Sequence, residues 1–256
     1  MTLFEVCVDS AEGARAARDA GAHRVELCCA LLEGGLTPSP GLLGTTLETA
    51  PGIEVNVLIR PRGGDFVYDA REVRAMVSDI ATASAMGAHG VVIGALTADG
   101  DVDMGICREL VDAAAGLSVT FHRAFDMARD PFAALESLVE LGADLVLTSG
   151  QEASALQGAP LLAQLVEAAG NRIRIMPGAG VTRHNARRIL DLTGACDLHF
   201  SASATEDGPM RHRNPRPAMG GRLRGDEFAR RVTSVTEIRA IVAAVGGSTS
   251  PCTQRG

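Results

Sequence analysis

Residues 21–29, Gly-Ala-His-Arg-Val-Glu-Leu-Cys-Cys (GAHRVELCC), contain the pattern from which the fold is read. Before them, Ser10–Ala20 is amphipathic and rich in alanine and arginine. A glycine directly after such a segment ends a helix, because it takes the left-handed backbone without a Cβ penalty. After it, apolar Val25 and Leu27 alternate with charged Arg24 and Glu26, the two-residue period of a strand. The same unit returns at Gly87-Ala88-His89 before GVVI, Gly142-Ala143-Asp144 before LVLT, and Gly194-Ala195-Cys196 before DLHF. Gly52, Gly116 and Gly170 mark similar junctions. With LFEVCV at the start, strands are predicted to begin near residues 3, 24, 53, 90, 117, 144, 172 and 197.

Helical patterns fill the gaps, among them Asp69–Met86, Asp103–Ala115, Pro131–Leu141 and Thr182–Leu192. Strict alternation of strand and helix implies parallel strands joined by crossover helices. Eight units in 256 residues fit an α/β fold of the (β/α)8 (TIM) barrel type. The alternative, an open doubly wound sheet, would carry a G-x-G-x-x-G turn after its first strand. None is there, so no nucleotide cofactor is expected. Residues 1–245 are read as a single barrel domain and 246–256 as a disordered tail. Residues 206–225, rich in Pro, Gly and Arg, interrupt the rhythm between the eighth strand and a last helix placed at Asp226–Val245. They are either a solvated excursion or a lid whose arginines (211, 213, 216, 222 and 224) close over an anion.

Composition narrows the function. A net charge of −7 and 3% aromatic residues argue against nucleic-acid binding. No apolar run approaches the ~18 residues of a membrane span. The start, MTLFEVCVDS, lacks a signal-type stretch, so a cytoplasmic location with reduced thiols is expected. Every basic residue is arginine, which excludes Schiff-base lysine chemistry.

In such barrels the C-terminal ends of the strands carry the site. Alternation assigns Glu5 and Cys7, Glu26 and Cys28, Asn56 and Arg60, Thr120 and His122, and His199 and Ser201 to the lumen. Glu5 and Glu26 are expected side by side at ~4.8 Å. One carboxyl should then titrate high unless Arg60 or a cation compensates. Cys7 and Cys28 form a second pair one layer higher, suited to a soft ion such as Cu(I). A purely structural reading is a buried network in which Arg60 neutralises Glu5 and Glu26. His122, Arg123 and Asp126 follow one another in HRAFD, and His122 and His199 are acid–base candidates. After the seventh strand, Gly178-Ala179-Gly180, and after the eighth, Ser201 to Ser203, are predicted to hold an anion through backbone N–H groups and a helix N-terminus.

These residues lie in stretches that resemble the CutC copper-homeostasis family: FEVCVDS, RVELC with EGGLTPS, VNVLIRPRGGDFVY, GALTADGDVD, FHRAFD, LTSG with ALQG, IMPGAGV and MRHRNPRPAMG. The match runs from residue 4 to about 221 in chain order. The resemblance implies a cytoplasmic barrel, a homo-oligomer, a link to copper homeostasis, and copper ligation by Cys7 and Cys28. Ala179 departs from the family pattern, which has glycine there, and adds a methyl group to the anion loop. Three functions follow from residues and resemblance together. The chain is a Cu(I)-binding protein. Alternatively it is an enzyme acting on a small anionic, phosphorylated metabolite, with Glu5, Glu26, Arg60, His122, Arg123, Asp126 and His199 as acid–base and charge-bearing groups and Asn56, Gly178, Ala179, Gly180, Ser201 and Ser203 binding substrate. The third reading is a scaffold with a vestigial mouth.

Overall fold

Every expected strand forms within two residues of its predicted start in the computed structural model, which describes residues 2–214, 216 and 228–246. The strands are β1 Leu3–Val8, β2 Arg24–Leu27, β3 Glu54–Leu58, β4 Gly90–Ile93, β5 Ser118–Phe121, β6 Leu145–Thr148, β7 Arg174–Pro177 and β8 Asp197–Phe200. They form one parallel sheet in the order β7-β6-β5-β4-β3-β2-β1-β8, a nearly closed (β/α)8 barrel. Among the described residues no hydrogen-bonded ladder joins β7 to β8, although the two lie side by side. At the foot of this seam Arg174 of β7 pairs with Asp197 of β8 at 3.3 Å.

The crossover helices are α1 Ala11–Asp19, α2 Pro40–Thr49, α3 Ala70–Ala85, α4 Met104–Ala113, α5 Pro131–Leu141, α6 Ala159–Ala169, α7 Ala186–Thr193 and α8 Val235–Val245. Their ends follow local chemistry. Asp69 accepts from the Glu72 N–H while Glu72 reaches back to the Asp69 N–H, a reciprocal cap on α3. Gly142 and Gly194, with φ of +75° and +71°, end α5 and α7 in the left-handed conformation that the glycine pattern demanded. Among the described residues no helix is long and apolar enough to cross a membrane.

The main core lies between strands and helices, where Val6, Val25, Val55, Val91, Phe121 and Ile175 meet buried helix residues such as Ala17, Ile80 and Leu110. The lumen is divided. Two apolar clusters, Cys28 with Leu58 and Val92 and Leu145 with Leu147 and Met176, face a polar set drawn mainly from β1, β2 and β8.

Two expectations change, the start of the last helix and the state of one cysteine. The last helix begins at Val235 rather than Asp226. The chain leaves β8 as a strand, β9 Ser203–Asp207, and returns as β10 Ala229–Thr233, paired antiparallel to it. Val232 and Thr233 are β-branched and continue a ladder better than a helix. Of the arginines assigned to a lid, 211, 213 and 216 are exposed. Arg213 is bonded to Asp207 at 2.6 Å and lies over the Phe228 ring, while Arg222, Arg224 and the tail 247–256 fall outside the described residues. Cys196 is disulfide-bonded, whereas Cys7, Cys28, Cys29 and Cys107 are free thiols. Compartment arguments average over cysteines and do not say which thiols a fold brings to bonding distance.

Lumen volume is set in part by Gly90. A Cβ there would stand 2.5 Å from Asn56 Oδ1 and 2.8 Å from the Ser118 carbonyl oxygen, and backbone cannot swing aside. Gly90→Ala is expected to destabilise the fold by about 1–3 kcal/mol in urea titration. Unchanged stability would show that β4 and β5 tolerate a wider spacing.

Candidate metal and ligand site at the barrel mouth

The polar lumen is organised from the bottom upward. β1 and β2 pair with Glu5 beside Arg24 and Cys7 beside Glu26. The backbone register is therefore offset by two residues from the expected pairs: Arg24 rather than Glu26 stands beside Glu5, while the Cys7 and Cys28 side chains still meet as expected. Strands in a barrel are staggered by its shear, which alternation along one strand does not reveal. The offset supplies a partner that the residue pattern left unassigned. Arg24, not Arg60, forms the ion pair with Glu5, and both are buried. Arg24 had the right parity, because it lies two residues before Glu26 on the same strand face.

Glu5 Oε1 also contacts His199 Nδ1 at 2.7 Å. Burial alone would raise the Glu5 pKa, but Arg24 and His199 outweigh it and bring the carboxyl down to about 2. An ionised carboxylate only accepts, so His199 Nδ1 is the donor. His199 Nε2 faces Glu26 Oε2 at 3.9 Å. Burial works against a charged His199, yet Glu26 and Glu5 together raise its pKa. Burial holds Glu26 above the ordinary carboxylate range, with His199 opposing and Glu5 adding to the effect.

One layer higher, Cys7 Sγ and Cys28 Sγ are 3.7 Å apart. The hydrogen bond between the thiols, burial and the neighbouring Glu26 push Cys7 well above the usual thiol range. Ligand atoms of Cys7, Glu26 and His199 lie within 4.8 Å of one another, close enough to share an ion. Cys29 faces away and donates to the Thr37 carbonyl.

Cys7, Glu26 and His199 open into a cavity of about 480 Å³, whose wall also includes Arg60, His122 and Arg123. Ala179, Gly180, Ser201, Ala202 and Ser203 line the same space. Asn56, Gly178, Asp126, Glu5 and Cys28 are not in its wall. Arg60 serves the loops: it donates to the carbonyls of Glu33 (2.7 Å), Gly35 (3.1 Å) and Gly64 (3.0 Å) and lies over Phe66. It therefore holds the β2 and β3 loops together and does not pair with Glu5 or Glu26. Asp126 is saturated by Thr148 Oγ1 (2.5 Å) and the Ser149 (3.0 Å) and Gln151 (3.2 Å) N–H groups, and it orients Arg123 at 2.7 Å. These anchors come from LTSGQ. The motif was visible in the sequence, but its hydroxyls gave no sign that they would meet Asp126.

His122 accepts at Nδ1 from the Ala124 N–H, so its proton resides on Nε2. Burial, then the charge of Arg60, lowers its pKa to about 3. Nε2 is buried and, among the described residues, has no partner.

A sequence profile of the CutC family matches residues 2–204. The chain belongs to the CutC family. It is 51% identical over 241 residues to the Mus musculus "Copper homeostasis protein cutC homolog", covering 94% of this chain and 88% of that protein. Identity to a Bacteroides thetaiotaomicron family protein CutC is 46%, covering 94% and 97% of the two chains. The crystal structure of the putative copper homeostasis protein CutC from Streptococcus agalactiae matches at a TM-score of 0.75 and 36% identity, over 78% of this chain and 99% of that one. Family membership accounts for the barrel. The sharing of the lumen between ionic and thiol layers is read from this chain's own geometry.

Two outcomes test the electrostatics. Arg24→Met leaves Glu5 buried without its cation and is expected to cost about 3–5 kcal/mol in urea unfolding, with Arg24→Met/Glu5→Gln recovering most of the loss. A double variant as unstable as the single one would show that Glu5 is held by other groups. The second outcome concerns pH. His122 has a folded pKa near 3 against an ordinary 6.5. The unfolded chain then binds the extra proton between those values. Its contribution is complete above pH 6.5 and is lost as pH falls toward 3, by at most about 1.4 kcal/mol per pH unit. His122→Gln should flatten this limb, and the difference between the two stability–pH profiles isolates it from Glu5, whose loss lies between 4.5 and 2. Parallel profiles would place the acid sensitivity elsewhere.

Proposed function

We propose that this protein binds Cu(I) through Cys7 and Cys28 and acts in copper homeostasis as a cytoplasmic homo-oligomer. The observation that carries the reading is the 3.7 Å separation of the two sulfurs across β1 and β2, with Cys7 lining the open cavity and Cys28 buried behind it. Two adjacent thiolates select a soft ion with low coordination number, and the donor set fits Cu(I) better than a hard divalent cation. His199 Nε2 and Glu26 stand beside the pair, and imidazole is the natural third ligand.

The electrostatics fit this assignment. In the metal-free protein the Cys7 thiol keeps its proton, because the Cys28 thiol bonds to it, burial disfavours a thiolate and Glu26 would repel one. A bound cation would compensate that repulsion, so loading releases protons and affinity rises with pH. Glu5 keeps the lower half of His199 fixed, which leaves Nε2 directed toward the thiol layer. The copper-homeostasis name of the mouse relative points the same way.

Competition with a chromogenic Cu(I) chelator tests the site. Cys7→Ser with Cys28→Ser should weaken Cu(I) binding by at least about 100-fold, since both soft donors are removed, and His199→Gln by about tenfold. Unchanged Cu(I) affinity in the double serine variant would overturn the assignment.

A further inference from the structure

The cavity has a second wall that the thiol layer does not use. It is built from hydrogen-bond donors. His122 is 5% exposed, and its Nε2–H has no partner among the described residues although the residue lines the cavity. A buried unpaired donor costs about 1–3 kcal/mol unless something accepts from it. Arg123 lines the cavity beside it. Its guanidinium is held at one edge by Asp126 and reaches Ser149 Oγ at 3.2 Å.

In the lining of the same cavity, after β7 and β8, the backbone takes an unusual shape. Ala179 has φ of +74° and Ala202 has φ of +43°, a region costly for any residue with a Cβ. Among the described residues the N–H groups of Ala179, Gly180, Ser201 and Ala202 have no hydrogen-bond partner. All four residues line the cavity. They lie where no ladder joins β7 to β8, so the sheet does not consume them. The anion loop expected from a helix N-terminus is absent here. α7 starts only at Ala186, and β8 runs into a strand. The donors are instead the bare loop amides. The carboxylate on this side, Glu237 of α8, is paired with Arg183 at 2.8 Å and leaves the donors unopposed.

We propose that this wall is a receptor for the phosphate group of a small phosphorylated metabolite, held by Arg123, the His122 Nε2–H and the amides of Ala179, Gly180, Ser201 and Ala202. Donor number selects phosphate over carboxylate. A carboxylate offers about four lone-pair sites, fewer than the donors available, whereas a phosphate ester presents three terminal oxygens. A cavity of about 480 Å³ is in the range of small-molecule sites and leaves room for the esterified portion beside Cys7, Glu26 and His199.

The proposal does not rest on copper, so the test uses protein stripped with a Cu(I) chelator. Titration calorimetry and thermal shift are run with inorganic phosphate and, at matched ionic strength, with acetate. Phosphate should bind saturably and acetate at least about tenfold more weakly. Arg123→Met and His122→Phe, the second of which keeps an aromatic ring beside Phe66, should each weaken phosphate by about tenfold or more. Arg172→Met, an exposed arginine paired with Glu136 outside the cavity wall, should leave it unchanged. Cys7→Ser/Cys28→Ser should also retain phosphate binding, which separates failure of the copper site from failure of this one. The proposal is overturned if the wild-type protein shows no saturable phosphate binding, if acetate binds as well, or if Arg172→Met weakens phosphate as much as Arg123→Met and His122→Phe do.

Discussion

The Arg24–Glu5 pair is the constraint on which the polar lumen rests. Two charges taken out of water need a partner and further hydrogen bonds, and this pair obtains both from the barrel's own strands. β1 supplies the carboxylate, β2 the guanidinium, and β8 the imidazole that occupies the second carboxylate oxygen. With Glu5 fixed as an anion, His199 is fixed in orientation. With His199 fixed, Glu26 has a neighbour that partly offsets its burial. The thiols stand on top of this column. The register that places Arg24 opposite Glu5 also brings Cys7 beside Glu26, so the ionic base and the Cys7–Glu26–His199 cluster follow from the same two-residue offset.

The lumen is asymmetric for a related reason. Met176, Leu145 and Leu147 fill the side away from β1 and β2, and Arg24 reaches Met176 Sδ at 3.7 Å, so the charged column is packed against apolar side chains. Water is thereby kept from the foot of the barrel, where it would weaken the pairing, while the mouth stays open to ligand. Arg60, which also lines the cavity, and Asp126 hold loops in place. Arg60 donates to three loop carbonyls, and Asp126 accepts from hydroxyl and amide groups while pairing with Arg123.

The barrel was legible because its signals are local: a positive-φ glycine follows each of α1 to α7 within three residues, and a short apolar run or alternation marks each strand. The lumen-facing parity of Glu5, Cys7, Glu26, Cys28 and His199 was legible for the same reason. The Cys7–Cys28 pairing was legible as well, but the partner of Glu5 was not. Which residue faces Glu5 depends on strand stagger, a property of the closed sheet that no single strand encodes. Asp126 shows the same limit, since its partners Thr148, Ser149 and Gln151 are more than twenty residues away. The β9–β10 ribbon was missed because the Pro/Gly/Arg-rich stretch hid two short strands at its ends.

That ribbon has a consequence for how the molecule tolerates change. At its base Ser203 is registered against Thr233, and the Ser234 N–H bonds the Ala202 carbonyl, so departing and returning chain are clamped side by side where α8 begins. The position of α8 is therefore decided at the clamp and not by the length of chain beyond it. A substitution at Ser203 or Thr233 would thus be felt at the start of α8, whereas one at the exposed Glu206 would not.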